Sequence, residues 1–236
     1  MQADRQAAVR DTLAGVDLFR TNHPGDIDDL VAVGQVVSYP RGATLFQKLD
    51  AGDRLMVVLE GTVRVSSVSI EGREAVITFV RPGELLGEIG TLDGEPRTAD
   101  ASALTEVDVF VVRRTAFIDY VHGHPDFALR LIQFLCQRLR RSTGMIEASV
   151  QLSMASRVAF GVLSLMEHAG RRQPRGWRLD FKLTQRDLGA FVGLARENVN
   201  RQLRVLEQER LLVLDKGEVV VPDLERLRAR AEGGDD

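Results

Sequence analysis

The feature that most constrains this chain is a change of pattern at His124-Pro125. Before it, short β-branched runs alternate with turn residues. They are V-V-S-Y ahead of Pro40-Arg41-Gly42, T-L-F-Q, R-L-M-V-V-L-E ahead of Gly61, and T-V-R-V-S-S-V-S ahead of Glu71-Gly72. E-A-V-I-T-F-V ahead of Arg81-Pro82-Gly83, T-A-D-A-S-A and V-D-V-F-V-V complete the series. Short strands recurring every ~8–12 residues with Gly or Pro between them predict an antiparallel sandwich or roll. After Pro125 there is no proline and only Gly144 as far as Leu152, which predicts one long helix. Proline suits the first helical position, where its missing N–H would be unpaired anyway.

On that helix Leu131, Leu135, Leu139, Ile146 and Leu152 recur mostly at spacings of four and seven, a narrow apolar seam. At ~1.5 Å per residue the helix is roughly 40 Å long. A seam of this kind predicts burial against a partner helix and so a dimer; packing on the chain's own sheet is the alternative. Ser153 reads as the N-cap of a further helix ending near Gly170, with Leu152–Met154 as a hinge and Arg171 to Arg178 as a polar loop. Asp4 to Val33 are loosely helical, interrupted at Asn22-His23-Pro24-Gly25.

Composition narrows the function classes. A chain of 236 residues suits two domains, and 44% hydrophobic content can fill their cores. The single cysteine, Cys136, excludes an intramolecular disulfide framework and a Cys₄ iron–sulfur centre, and it is read as packed within the long helix. The N-terminus lacks a signal-peptide core and no apolar run reaches the ~18 residues of a membrane span, so a cytoplasmic protein without membrane contact is expected. Net charge is −3, but from Arg157 onward there are 15 basic and 13 acidic residues, against 16 and 21 before it. Three of the later acids (Glu232, Asp235, Asp236) sit in the tail, so the C-terminal third is the part suited to a polyanion. No Ser–His–Asp arrangement or carboxylate pair stands out, so no catalytic residues are assigned. His122-Gly123-His124 reads as a helix entrance rather than a metal pair.

Within the basic third, Thr184 and Asp187 in T-Q-R-D fit a capped helix start. Gly189, Gly193 four residues later and Val199 six beyond that form a helix-turn-helix spacing. The first position must be small where two helices cross, Gly193 supplies a left-handed turn, and Val199 plugs the space between them. The second helix then presents Arg196, Glu197, Asn198, Asn200, Arg201 and Arg204 outward. Arginine bridges guanine O6 and N7, and glutamate accepts from cytosine N4. L-L-V-L-D-K-G-E-V-V-V behind it predicts a hairpin wing around Lys216-Gly217.

In the first part, L-G-E-I-G-T-L-D-G-E-P-R-T-A (residues 86–99) carries the other signal. Gly87 lets a ligand approach its backbone, and the residues after it read as a short helical turn whose N–H groups suit an anion. Arg97 offers a planar fork for phosphate, Thr98 a hydroxyl beside it, and Glu88 an acceptor for a ribose hydroxyl. The alternative is an ion pair between Glu88 and Arg97 that merely closes the turn.

Together these motifs resemble the cyclic AMP receptor protein/fumarate–nitrate regulator family of bacterial transcription factors. The resemblance runs from about Phe19 to Val221 and includes Gly42, Leu45, Phe46, Gly61, Val63 and Val65 of the barrel signature. It implies an α+β chain: a cyclic-nucleotide-binding β-roll (a double-stranded β-helix or jelly roll) over 1–124, a dimerisation helix and hinge over 125–153, and a winged helix-turn-helix over 154–236. It implies a homodimer on double-stranded DNA, with RNA polymerase as a possible partner of the loop Arg171–Gly176. Gly87 and Glu88 would hold the ribose of the ligand, Arg97 and Thr98 its cyclic phosphate. Ser142 and Thr143 would reach the base from opposite subunits, with Arg138 one turn earlier. Arg196 and Arg201 would read guanines and Glu197 a cytosine of a T-G-T-G-A half-site, while Thr184, Gln185, Arg186 and Asn198 would meet phosphates. The expected ligand is cyclic AMP. Thr98 in place of serine is also compatible with cyclic GMP, and a member that binds DNA without nucleotide is the further alternative. Ala195 stands where serine commonly caps the recognition helix, and the N-terminal cysteine cluster of iron–sulfur relatives is absent.

Overall fold

The computed structural model describes residues 2–19, 25–215 and 218–233. The chain divides into two compact units, residues 1–67 with 78–139 and residues 68–77 with 140–236. Expectations placed on Asn22–Pro24, on Lys216-Gly217 and on Asp235 and Asp236 lie outside the described residues.

The first unit begins with α1 (Gln2–Ala14), a 3₁₀ turn (Asp17–Phe19) and α2 (Gly25–Ala32). Strands follow: β1 (Gly34–Tyr39), β2 (Thr44–Phe46), β3 (Arg54–Glu60), β4 (Val63–Val68), β5 (Glu74–Val80) and β6 (Leu85–Leu86). Then come α3 (Glu88–Asp93), β7 (Asp100–Ala103), β8 (Val107–Arg113), α4 (Arg114–Gly123) and α5 (Pro125–Gln151); residues 68–77 around the β4–β5 turn and residues 140–151 of α5 belong to the second unit. The strands form two four-stranded sheets in the orders β1-β8-β3-β6 and β2-β7-β4-β5. This is the roll that the Gly/Pro punctuation predicts; only the two-residue β6 had no signal of its own.

Side chains on β3 and β8 alternate between two separate cores, as a pleat with a period of two requires. Met56, Val58, Val109 and Val111 point between the sheets, where Val63, Val65, Val80, Leu86 and Ala101 meet them. Leu55, Val57, Phe110 and Val112 point the other way, into a core closed by Leu13, Leu30, Phe117, Phe127 and Leu131 from the helices. Helices covering the outer face explain why R-L-M-V-V-L-E is a continuous apolar run rather than an alternating one.

That outer core changes the reading of the long helix. Phe127 is seated among Phe19 (ring centroids 5.5 Å apart), Tyr120 (5.0 Å) and Phe117 (6.0 Å), and Leu131 is buried beside them. The first turns of α5 therefore pack on their own roll. Leu139 and Ile146, farther along the seam, are 67% and 64% exposed. One seam in the sequence is two surfaces in the structure. Cys136 is exposed rather than packed, because it falls outside the stripe that Phe127 and Leu131 define. His124 caps the end of α4, stacked on Tyr120 with Nδ1 2.7 Å from the Tyr120 carbonyl, and Pro125 opens α5 behind it.

The second unit contains α6 (Met154–Ala169), β9 (Gly170–Gln173), β10 (Gly176–Leu179), α7 (Gln185–Val192), α8 (Arg196–Gln208), β11 (Val213–Asp215), β12 (Glu218–Val221) and α9 (Leu224–Ala231). Ser153 does cap α6, its side chain accepting from the Ser156 N–H at 3.2 Å. The stretch read as a polar loop is a β-hairpin instead: β9 and β10 pair antiparallel and extend the wing sheet, whose order is β11-β12-β10-β9.

Candidate functional site

Gly87 is the left-handed N-cap of α3, at φ 77°. A side chain there would be strained, and its Cβ would collide with Nη1 of Arg97. Arg97 is buried at 3% exposure and lies against this glycine. Its Nη1 donates to the Gly87 carbonyl (2.6 Å), its Nη2 to the Arg54 carbonyl (2.5 Å), and the guanidinium stands 4.5 Å from the Phe46 ring centre. The buried Nε has no hydrogen-bond partner among the described residues. Burial pulls the guanidinium pKa below its ordinary value, with Asp53 opposing that shift from a distance. A buried cation held by neutral carbonyls, with one donor unused, is a site in which an added anion gains electrostatically.

The loop before β3 positions the arginine. The Leu49 N–H donates to the Arg97 carbonyl (2.9 Å) and the Arg97 N–H to the Asp50 carbonyl (2.8 Å). Thr91 of α3 braces the same two acceptors, its hydroxyl 2.9 Å from the Gly87 oxygen and 2.8 Å from the Arg54 oxygen.

Glu88 is 4% exposed, and its partner is Arg138 of α5 rather than Arg97. Arg138 also donates to the Leu85 carbonyl at 3.4 Å. The turn-closing Glu88–Arg97 pair considered from the sequence is therefore not formed, because Arg97 turns to main-chain oxygens and Arg138 reaches Glu88. Thr98 is exposed and its hydroxyl has no partner among the described residues. Ser142 and Thr143 are exposed on α5, one turn beyond Arg138. Arg54, which contributes its carbonyl, and Phe46, which contributes its ring face, were missed as site residues; a main-chain acceptor leaves no mark on residue type.

The second unit supplies a different surface. Thr184 caps α7, accepting from the Asp187 N–H (3.1 Å) and donating to the Asp187 carboxylate (2.5 Å). Gly193 ends α7 at φ 66°. A Cβ at Gly189 would stand 2.7 Å from the Leu194 carbonyl oxygen, so the helices do cross at the residue the spacing marked as small. Val199, Leu203 and Leu206 are fully buried, and Arg196, Glu197, Arg201 and Arg204 of the same helix are exposed. Ala195 caps α8 without a side-chain hydrogen bond. Arg201 donates to Asn198 (2.7 Å) and Gln185 to Asn200 (3.4 Å), whereas Arg196 and Arg204 have no side-chain partner among the described residues. Thr184 and Arg186 are exposed at the start of α7. The exposed face of α8 thus carries cations and one carboxylate on a rigid, fully buried base, the form of a major-groove reader.

Comparison with known proteins gives two family matches: the cyclic nucleotide-binding domain over residues 36–124 and the Crp-like helix-turn-helix domain over residues 156–230. The chain is 31% identical over 219 residues to a CRP-like cAMP-activated global transcriptional regulator of Mycobacterium tuberculosis, covering 93% of this chain and 98% of that one. It is 30% identical to the cyclic AMP receptor protein of Thermus thermophilus over 227 residues, covering 94% and 99%. Among solved structures, a CRP/FNR-family transcriptional regulator from Thermus thermophilus superposes with a TM-score of 0.69 at 28% identity, covering 84% of this chain and 98% of that one. FixK2 from Bradyrhizobium japonicum shares the fold, with a TM-score of 0.72 at 21% identity over 83% and 96% of the two chains.

Proposed function

The chain belongs to the cyclic AMP receptor protein/fumarate–nitrate regulator family of transcription regulators, and from that premise we propose that it acts as a homodimer that reads palindromic TGTGA-like half-sites when cyclic AMP is bound. The two domains it carries make it a cyclic nucleotide-responsive DNA-binding regulator. In this proposal, Arg97 and Thr98 take the cyclic phosphate and Gly87 and Glu88 the ribose. Arg138 lies beside Glu88, and Ser142 and Thr143 of the two subunits take the base. Arg196 and Arg201 read guanines, Glu197 reads a cytosine, and Thr184, Gln185, Arg186 and Asn198 hold the phosphate backbone.

The observation that carries this reading is the Arg97 guanidinium, buried against Gly87 with no carboxylate partner and with its Nε unused among the described residues. A ligand phosphate draws Arg97 off the Gly87 carbonyl, and a ribose hydroxyl shares Glu88 with Arg138. The first replaces a contact that the protein makes with itself and the second competes with one, so binding can favour one arrangement of α5 over another. Homodimerisation is supported by the exposed apolar residues Leu139, Ile146 and Val150, the last 78% exposed. RNA polymerase is a further candidate partner, through the exposed arginines of the β9–β10 hairpin.

The test is operator binding titrated in parallel with cyclic AMP and cyclic GMP. Tight, salt-sensitive binding that appears only with cyclic AMP is expected. Equal operator affinity with and without either nucleotide would overturn the reading in favour of a regulator that works unliganded. A response to cyclic GMP alone would reassign the ligand.

A further inference from the structure

Two helix C-termini in the second unit end on one side chain. Arg157, in the first turns of α6, donates from Nε to the Val192 carbonyl (2.6 Å), from Nη2 to the Gly193 carbonyl (2.9 Å) and from Nη1 to the Ser149 carbonyl (3.1 Å). Val192 is the last residue of α7, Gly193 is its C-cap, and Ser149 lies in the last turn of α5. The final carbonyls of a helix have no partner within their own helix, and they carry the negative end of its dipole. One guanidinium meets this need for both helices at once. Its planar fork fixes the directions of all three bonds, which a lysine ammonium cannot do. A Cβ at Gly193 would stand 2.7 Å from Nη2, so the glycine turn and the arginine are fitted to each other.

The placement has a mechanical meaning. The covalent link between α5 and α6 is only Leu152 and Ser153, whose backbone torsions can absorb a rotation of α5. Arg157 bypasses that link by tying the end of α5 directly to the turn from which the recognition helix α8 starts at Arg196. Ser149 is six residues beyond Thr143 on the same continuous helix, ~9 Å along its axis. We propose that Arg157 is the positioning residue through which a displacement of α5 is delivered to the recognition helix, so that it sets how strongly nucleotide binding alters DNA affinity. The inference rests on the nucleotide-responsive reading above and deepens it.

Coupling between two sites is reciprocal, typically about 5- to 150-fold, and can be read from either side. The experiment uses the full chain as wild type, Arg157→Met and Arg157→Lys. Operator affinity is measured by fluorescence anisotropy with and without saturating cyclic AMP, and cyclic AMP affinity by calorimetry with and without operator. Arg157→Met is expected to bring both ratios to within about twofold of one while cyclic AMP affinity without DNA stays at the wild-type value. Arg157→Lys, which keeps the charge but loses the fork, is expected to fall between, with coupling reduced about threefold or more; it decides the question where the methionine variant does not fold. A residue that merely stabilised the fold would lower the melting temperature and weaken operator binding equally in both arms. Ratios unchanged from wild type would overturn the proposal. Ratios of one already in the wild type would overturn the nucleotide-responsive reading itself, an outcome visible without any variant.

Discussion

Replacing Arg97 with methionine separates what the side chain does for the fold from what it does for a ligand. Arg97 is 3% exposed and has no carboxylate partner among the described residues, and removing such an ion from water costs several kcal/mol even after relaxation. Both of its acceptors keep a donor when the arginine is removed: the Gly87 oxygen keeps the Thr91 N–H at 3.2 Å, and the Arg54 oxygen keeps the Thr91 hydroxyl at 2.8 Å. The substitution therefore strands no carbonyl, and methionine fills much of the volume beside Phe46. Stability is expected to stay within about 1 kcal/mol of wild type, or to rise. Affinity for a cyclic phosphate is expected to fall about 10- to 150-fold, the equivalent of one charged hydrogen bond at about 1.5–3 kcal/mol. Thr98→Ala, which removes one exposed neutral hydroxyl, should cost less. Calorimetry with cyclic AMP reads the affinity. Urea unfolding followed by far-ultraviolet circular dichroism reads the stability, because the single tryptophan, Trp177, lies on β10 of the second unit. A loss of stability above about 3 kcal/mol would make Arg97 a strut. An unchanged cyclic AMP affinity would refute the anion site.

Leu139→Glu with Ile146→Glu places charges on two residues already 67% and 64% exposed, so the chain should fold while sedimentation shows a monomer and operator binding is lost; a dimer that persists would move the interface elsewhere. Gly189→Val overfills the helix crossing 2.7 Å from the Leu194 oxygen and should destabilise the second unit by about 1–3 kcal/mol, read by Trp177 fluorescence. Burial pushes the Tyr120 phenol up to about 12 from 10.0. A raised value means that the fold favours the protonated form: the stabilisation is complete below pH 10 and is lost as pH rises from 10 towards 12. Urea midpoints at pH 9 and pH 11 should therefore diverge less in Tyr120→Phe than in wild type, and an identical divergence would refute the assignment.

Much of this architecture is legible in the residues because short-range physics determines it. Turn glycines and prolines delimit the strands of the roll, and Gly189, Gly193 and Val199 specify a helix crossing within eleven positions. The same holds for the Thr184 cap, where donor and acceptor are three residues apart. What the residues conceal is of two kinds. The β9–β10 hairpin reads as a loop because β9 is an edge strand with Arg171, Arg172 and Gln173 exposed, and charges that protect an edge erase the apolar alternation. The Glu88–Arg138 pair spans fifty positions, and nothing local distinguishes it from a pairing of Glu88 with the much nearer Arg97. Leu131 and Leu139 occupy one periodic seam in sequence, yet only the depth of the aromatic cluster around Phe127 decides which of them is covered.

The buried guanidinium of the first unit is seated on main-chain oxygens, and this frees the side chain of one of the two residues that supply them. Arg54 lends its carbonyl whatever its side chain becomes, so position 54 can drift towards other chemistries, provided the strand stays in register, without loosening the grip on Arg97. Gly87 has no such latitude, since both its backbone conformation and its lack of a Cβ are in use. A cradle of this kind leaves most of its rim open to remodelling for different occupants while its floor stays the same.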